Sequence, residues 1–155
     1  MAKSIQSEIT IDAPRDDVYA YLADFGRHTE WAEPKHHLRI QPPAAVRAGA
    51  TFTSVGKDMG RDAKNAVTIT EVVPGSRIVY DALMDDRSLW RNVLELSDAG
   101  RSTRLVKSAS FVSAKFPFNV LGAILGPLTK AEGAKVLDGD LQRIKARAEG
   151  TSPRT

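Results

Sequence analysis

From Ser4 to Ile11 apolar and polar side chains alternate, with Ile5, Ile9 and Ile11 on one face and Gln6, Glu8 and Thr10 on the other. That is the period of a half-buried strand. The pattern changes at Asp12-Ala13-Pro14-Arg15-Asp16-Asp17, where Pro14 suits a first helical turn and the two aspartates favour the positive end of a helix dipole. Val18, Tyr21, Leu22 and Phe25 then fall at i, i+3, i+4 and i+7, which predicts a short helix with one apolar face, stopped by Gly26. Arg27 to Pro34 carries Trp31 and predicts a second short helical turn, closed by Pro34 because proline disfavours helix in the residue before it.

Strands dominate the middle of the chain. His36 to Gln41, Ala50 to Val55, Ala63 to Val73, Arg77 to Leu83, Ser88 to Ser97 and Thr103 to Val112 are rich in β-branched, aromatic or alternating apolar residues. Pro42-Pro43, the Gly56 to Gly60 stretch, Pro74-Gly75-Ser76, Asp85-Asp86 and Asp98-Ala99-Gly100 separate them with turn chemistry. Such close spacing predicts antiparallel hairpins. After Phe116-Pro117 the period becomes helical and stays so to Glu149-Gly150, with an apolar stripe through Val120, Ile124, Leu128, Ala131, Ala134, Leu137, Leu141, Ile144 and Ala148. Gly126-Pro127 should bend this helix, since proline removes a backbone donor and crowds the preceding turn.

A sheet of six or seven antiparallel strands must bury one face, and the long C-terminal helix is the amphipathic partner available to it. The class is therefore α+β. The middle of the stripe is small, with Ala131 and Ala134 and with Gly133 alongside. Those residues either let helix and sheet pack closely or roof a cavity, and the pattern alone does not choose.

Composition narrows the classes. At 155 residues and 42% hydrophobic, the chain suits one domain over residues 1–150, followed by a polar tail at 151–155. Cysteine is absent, which excludes disulfides, thiolate nucleophiles and thiolate metal sites. MAKSIQSEITI has no apolar core of the length an export signal needs and the longest apolar run is Val120 to Leu125, so a cytoplasmic protein without a membrane span is expected. The net charge of +3 comes from 22 basic residues interleaved with 19 acidic ones, not from a dense basic run, so no nucleic-acid partner is expected.

Searches for catalytic motifs return little. His28, His36 and His37 form no HExxH or i, i+4 pairing, adjacent strand residues face opposite ways, and surface positions are expected for all three, so no metal or cofactor is expected. No G-x-S-x-G elbow is present, and Gly56-Lys57-Asp58-Met59-Gly60 lacks the ending of a phosphate-binding loop. It reads as a hairpin loop with Met59 at its tip.

Ile11-Asp12-Ala13-Pro14 followed by Val18, Leu22, Asp24 and Trp31, then VRAGATF at Val46 to Phe52, EVVPGSR at Glu71 to Arg77, GRSTRL at Gly100 to Leu105 and DLQRIKARAE at Asp140 to Glu149, run in an order that covers almost the whole chain. In that order and separation the sequence resembles the SRPBCC, or START-like, helix-grip superfamily, in its bacterial polyketide cyclase/dehydrase-type branch. The resemblance implies a curved sheet wrapped around the C-terminal helix, two short helices after the first strand, and a deep cavity between sheet and helix. It implies a small hydrophobic ligand such as a lipid, sterol or aromatic polyketide. A cyclase/dehydrase-type enzyme using the same cavity, or a protein-interaction module, are the alternatives, since fold does not fix function.

Within such a cavity the candidate lining is Phe52, Tyr80, Trp90, Asn92 and Lys107 from the strands, Leu128 and Ala131 from the helix, and Trp31 near the entrance, where it is expected to plug the short helices against the sheet more than to touch a ligand. On the sixth strand Trp90-Asn92-Leu94-Leu96 is the inward row, because Arg91 and Glu95 would be costly to bury. On the last it is Thr103-Leu105-Lys107-Ala109-Phe111. Lys107 is expected to lay its methylenes along the wall and keep its ammonium in water. Tyr80 and Asn92 can orient a ligand carbonyl without a charge penalty, with an outward strand aromatic at Tyr80 and a strand-edge polar residue at Asn92 as equal alternatives. No residue is assigned a catalytic role, and the chain is expected to be a monomer or a homodimer.

Overall fold

The computed structural model describes residues 4–32, 34, 38–58, 60–84, 87–116 and 118–151, with the side chains of 58, 118–130 and 151 outside the description. In chain order it contains β1 (Ser4–Ile11), α1 (Arg15–Ala23), a 3-10 turn (Phe25–Arg27), α2 (His28–Trp31), β2 (Arg39–Gln41), β3 (Thr51–Asp58), β4 (Arg61–Val73), β5 (Arg77–Met84), β6 (Ser88–Ala99), β7 (Ser102–Ala114) and α3 (Phe118–Thr151). The strands form one antiparallel sheet of seven in the order β1-β7-β6-β5-β4-β3-β2. This is the helix-grip arrangement that the resemblance implies, within the α+β class that the pattern predicts.

Local chemistry explains most boundaries. Pro14 sits just before α1 with an extended backbone (φ −60°, ψ 147°) and not inside the first turn. Its carbonyl accepts from the amides of Asp17 and Val18, each at 3.1 Å. The α1 face predicted to be apolar is buried at Val18, Tyr21 and Leu22, and Phe25 continues it from the 3-10 turn. Gly75 and Gly100 carry positive φ (82° and 66°) in the β4–β5 and β6–β7 turns, a backbone region that β-carbons disfavour.

The Gly56 to Gly60 stretch differs from expectation. The ladder continues through Gly56↔Ala63, Lys57↔Asp62 and Asp58↔Arg61, and Lys57 pairs with Asp62 across the strands. Cross-strand pairing at each step outweighs the turn preference of the glycine. Met59 lies outside the described residues, as do His36 and His37.

The concave face of the sheet carries the core. Ile11, Ile69, Ile78, Leu94 and Leu105 are buried there and meet Leu141 and Ile144 of α3 and Trp31 of α2. The described part of α3 lies chiefly along β1 and β7. At Gly133 the approach to β1 is so close that a β-carbon would fall 2.6 Å from Ile5 Cδ1. Gripping the sheet along one side leaves space beneath the middle strands.

Candidate functional site

That space is a cavity of about 500 Å³ with a mainly apolar lining. Its wall follows from strand register, because residues paired across an antiparallel ladder with the same parity share a face. One row runs Ile69, Tyr80, Asn92, Ala109, Ile5 across β4, β5, β6, β7 and β1. The next runs Phe52, Val67, Ala82, Trp90, Phe111, and its middle three residues face the cavity. A third runs Ile40, Ser54, Asn65, Met84, Ser88.

Beyond the first row, on the side away from the β3–β4 hairpin, lies Lys107 at the sixth of the thirteen positions of β7. It is 5% exposed. Its ammonium bonds Asp140 Oδ2 of α3 and lies 5.1 Å from the centroid of the Trp31 ring. The second oxygen of Asp140 accepts from Arg143 Nη2 at 2.9 Å, and Arg143 Nε donates to the Trp31 carbonyl at 2.8 Å. Both buried charges are thus paired and hydrogen-bonded, the condition under which a protein interior tolerates them. Lys107 therefore does not keep its ammonium in water, as the sequence pattern suggested. It lies mid-strand, out of reach of solvent, and a carboxylate from the helix meets it.

An aromatic group closes this end. Phe25 packs on Phe52 (4.7 Å between centroids) and edge-on to Tyr80 (5.5 Å), and His28 stacks against Phe25 (4.8 Å) and Trp31 (4.1 Å). His28 is not a surface residue: it lines the cavity, and Nδ1 is buried with no hydrogen-bond partner among the described residues. Burial, with a smaller contribution from the charge of Lys107, pushes its pKa down to about 3, so the ring is neutral at physiological pH. Burial and then the charge of Asp140 push the Tyr80 phenol well above its ordinary range, so it stays a hydroxyl. The cavity thus presents a neutral imidazole, a phenol, carboxamides and a compensated ion pair.

Of the residues singled out in the sequence, Tyr80, Trp90, Asn92 and Lys107 line the cavity. Phe52 is buried in the aromatic group behind the wall, and Trp31, 1% exposed, is a plug beside the ion pair and not an entrance residue. Ala131 is exposed and outside the lining, where Gly133, Val136 and Leu137 supply the helix surface. The side chain of Leu128 lies outside the described residues. Asp140, His28, Ser54 and Asn65 also line the cavity and were not singled out. Asp140 was detectable: it stands three residues after Leu137 and four before Ile144, inside the apolar stripe, where an unpaired carboxylate would be costly.

Among the described residues no group of three or more His, Asp or Glu side chains is placed to hold a metal ion. No described helix is long and apolar enough to cross a membrane.

Comparison with known proteins follows the same line. The fold is similar to that of a START superfamily protein from Mycobacterium smegmatis, with a TM-score of 0.74 at 13% identity over 96% of this chain and 99% of that one. It is similar to TTHA0849 from Thermus thermophilus, with a TM-score of 0.72 at 16% identity over 97% and 100%. Protein CV1439 from Chromobacterium violaceum gives 0.72 at 15% identity over 94% and 97%. Identities this low establish the fold alone. No curated protein matches the sequence. The family model described as polyketide cyclase / dehydrase and lipid transport, however, matches residues 2–149, and with the seven-stranded grip and its cavity in view, the chain belongs to that family.

Proposed function

We propose that the protein binds one small, mostly apolar molecule, of the lipid, sterol or aromatic polyketide kind, between the sheet and α3. The observation that carries this reading is the cavity itself: about 500 Å³, walled by Val67, Ala82, Trp90 and Ala109, with polar side chains only at particular stations. A core of this size normally packs without such a void, and an apolar cavity with a few convergent polar groups is the usual form of a small-molecule site.

Native mass spectrometry and thermal shift against lipids, sterols and aromatic polyketides test it. A ligand at a hundred times its Kd adds about 2.7 kcal/mol to the native state. In a chain of this size that raises Tm by roughly 5–10 °C. A one-to-one complex and a shift of that order are expected, and both should vanish in Ala82→Phe, which fills the middle of the wall. A panel that produces neither, in a folded protein, would overturn the reading.

Conversion of the ligand in place is a second reading. It is favoured by the neutral His28, whose Nδ1 has no partner among the described residues, in the same lining as Tyr80 and Lys107, groups able to orient a carbonyl and move a proton. Ligand recovered chemically unchanged after incubation supports binding alone, and altered ligand supports catalysis.

A further inference from the structure

The three registered rows differ in chemistry. The first presents the Tyr80 phenol directly across from the Asn92 carboxamide, with Lys107 one row further on. The second is apolar from end to end: Phe52, Val67, Ala82, Trp90, Phe111. The third places Ser54 directly across from Asn65. Both line the cavity and both are buried, at 4% and 7% exposure, so they are not ordinary rim residues kept wet by bulk solvent. Together a hydroxyl and a carboxamide offer three donors and four acceptor lone pairs, more than a single neighbour can fill.

The two polar stations are four residues apart along the strands, since Asn65 pairs with Met84 and Ile69 with Tyr80. At about 3.4 Å per residue that is roughly 14 Å. A few polar side chains set in an otherwise apolar lining are what fixes the orientation of a bound small molecule, and Ser54 and Asn65 form one such group.

Resting on the reading that the cavity holds a small molecule, the geometry points to an elongated ligand with an apolar body across the Val67–Ala82–Trp90 row and an oxygen function near each end. One function meets Tyr80 and Asn92, the other Ser54 and Asn65. A molecule with a single polar head uses half of the wall.

A homologous series of α,ω-alkanediols measured against the matching 1-alkanols tests this, with Trp90 fluorescence and calorimetry as readouts. In a cavity with one polar station, the second hydroxyl weakens binding, because it is desolvated for nothing. With two stations the sign reverses at matching length: 1,10-decanediol should bind about three- to tenfold more tightly than 1-decanol. 1,6-Hexanediol should show no advantage over 1-hexanol. Ser54→Ala and Asn65→Leu should each erase the diol advantage, so that 1,10-decanediol binds no more tightly than 1-decanol measured in the same variant. Alkanols that bind while diols bind no better at any length, or a diol advantage that survives both substitutions, would overturn the two-station ligand and leave the cavity reading standing. Failure of every alkanol and diol to bind would overturn the cavity reading and this one with it.

Discussion

Lys107 shows how a single residue is decided by its partner. Its place in a row with Thr103, Leu105 and Ala109 is visible in the alternation of β7, but whether its ammonium reaches water depends on α3, 33 residues away in sequence. Removing one partner of a buried pair leaves a charge with less compensation, and Lys107→Met should cost about 3 kcal/mol in urea unfolding. Arg143 already holds the other oxygen of Asp140, so the loss should fall at the low end of what such pairs show. In the double variant Lys107→Met, Asp140→Leu most of that loss should be recovered, because no buried charge remains and Arg143, 28% exposed, can turn to solvent. If the double variant is as unstable as the two single losses added together, the pair is not coupled as described.

At the scale of elements, the grip depends on where α3 touches the sheet. The sequence drew attention to Ala131 and Ala134 as the small residues of the helix, yet the close approach is at Gly133, against Ile5 of β1. A β-carbon there meets only the rotatable end of an isoleucine, and alanine is favoured over glycine in a helix interior by about 1 kcal/mol. Gly133→Ala should therefore stay within about 1 kcal/mol of the parent protein by urea midpoint. Gly133→Phe is different in kind, because a ring cannot be accommodated by rotating one methyl. It should lever α3 from β1 and lower stability by about 2 kcal/mol or more. Equal stability for alanine and phenylalanine would mean that helix and strand are not in contact at that point.

For the whole molecule, the aromatic group around His28 couples stability to pH. The imidazole titrates near 6.5 in the unfolded chain and near 3 in the folded one. As pH falls below 6.5 the unfolded state takes up a proton that the native state refuses, so stability is lost on acidification, down to about pH 3. The slope from one such group is at most about 1.4 kcal/mol per pH unit. Between pH 6 and pH 4, His28→Leu should therefore lose roughly 2 kcal/mol less than the parent protein in paired denaturation curves. Identical pH dependence in the two proteins would show that His28 is hydrated and free to protonate in the native state.

The elements themselves were legible in the chain, because they answer to local periodicity. Alternation at Ser4–Ile11, the i, i+3, i+4, i+7 spacing in α1, turn chemistry at Gly75 and Gly100, and the long helical stripe each depend on neighbours within a few residues. The inward rows of β6 and β7 were legible for the same reason, since burying Arg91 or Glu95 would cost too much. What the chain could not reveal by itself is anything set by register between distant segments. Asp140 meeting Lys107, Ser54 facing Asn65 and Gly133 nesting on Ile5 all follow from how strands and helix align in three dimensions. Periodicity says which face a side chain takes; only tertiary packing decides what stands opposite it, and the polar stations of the cavity are made of those opposites.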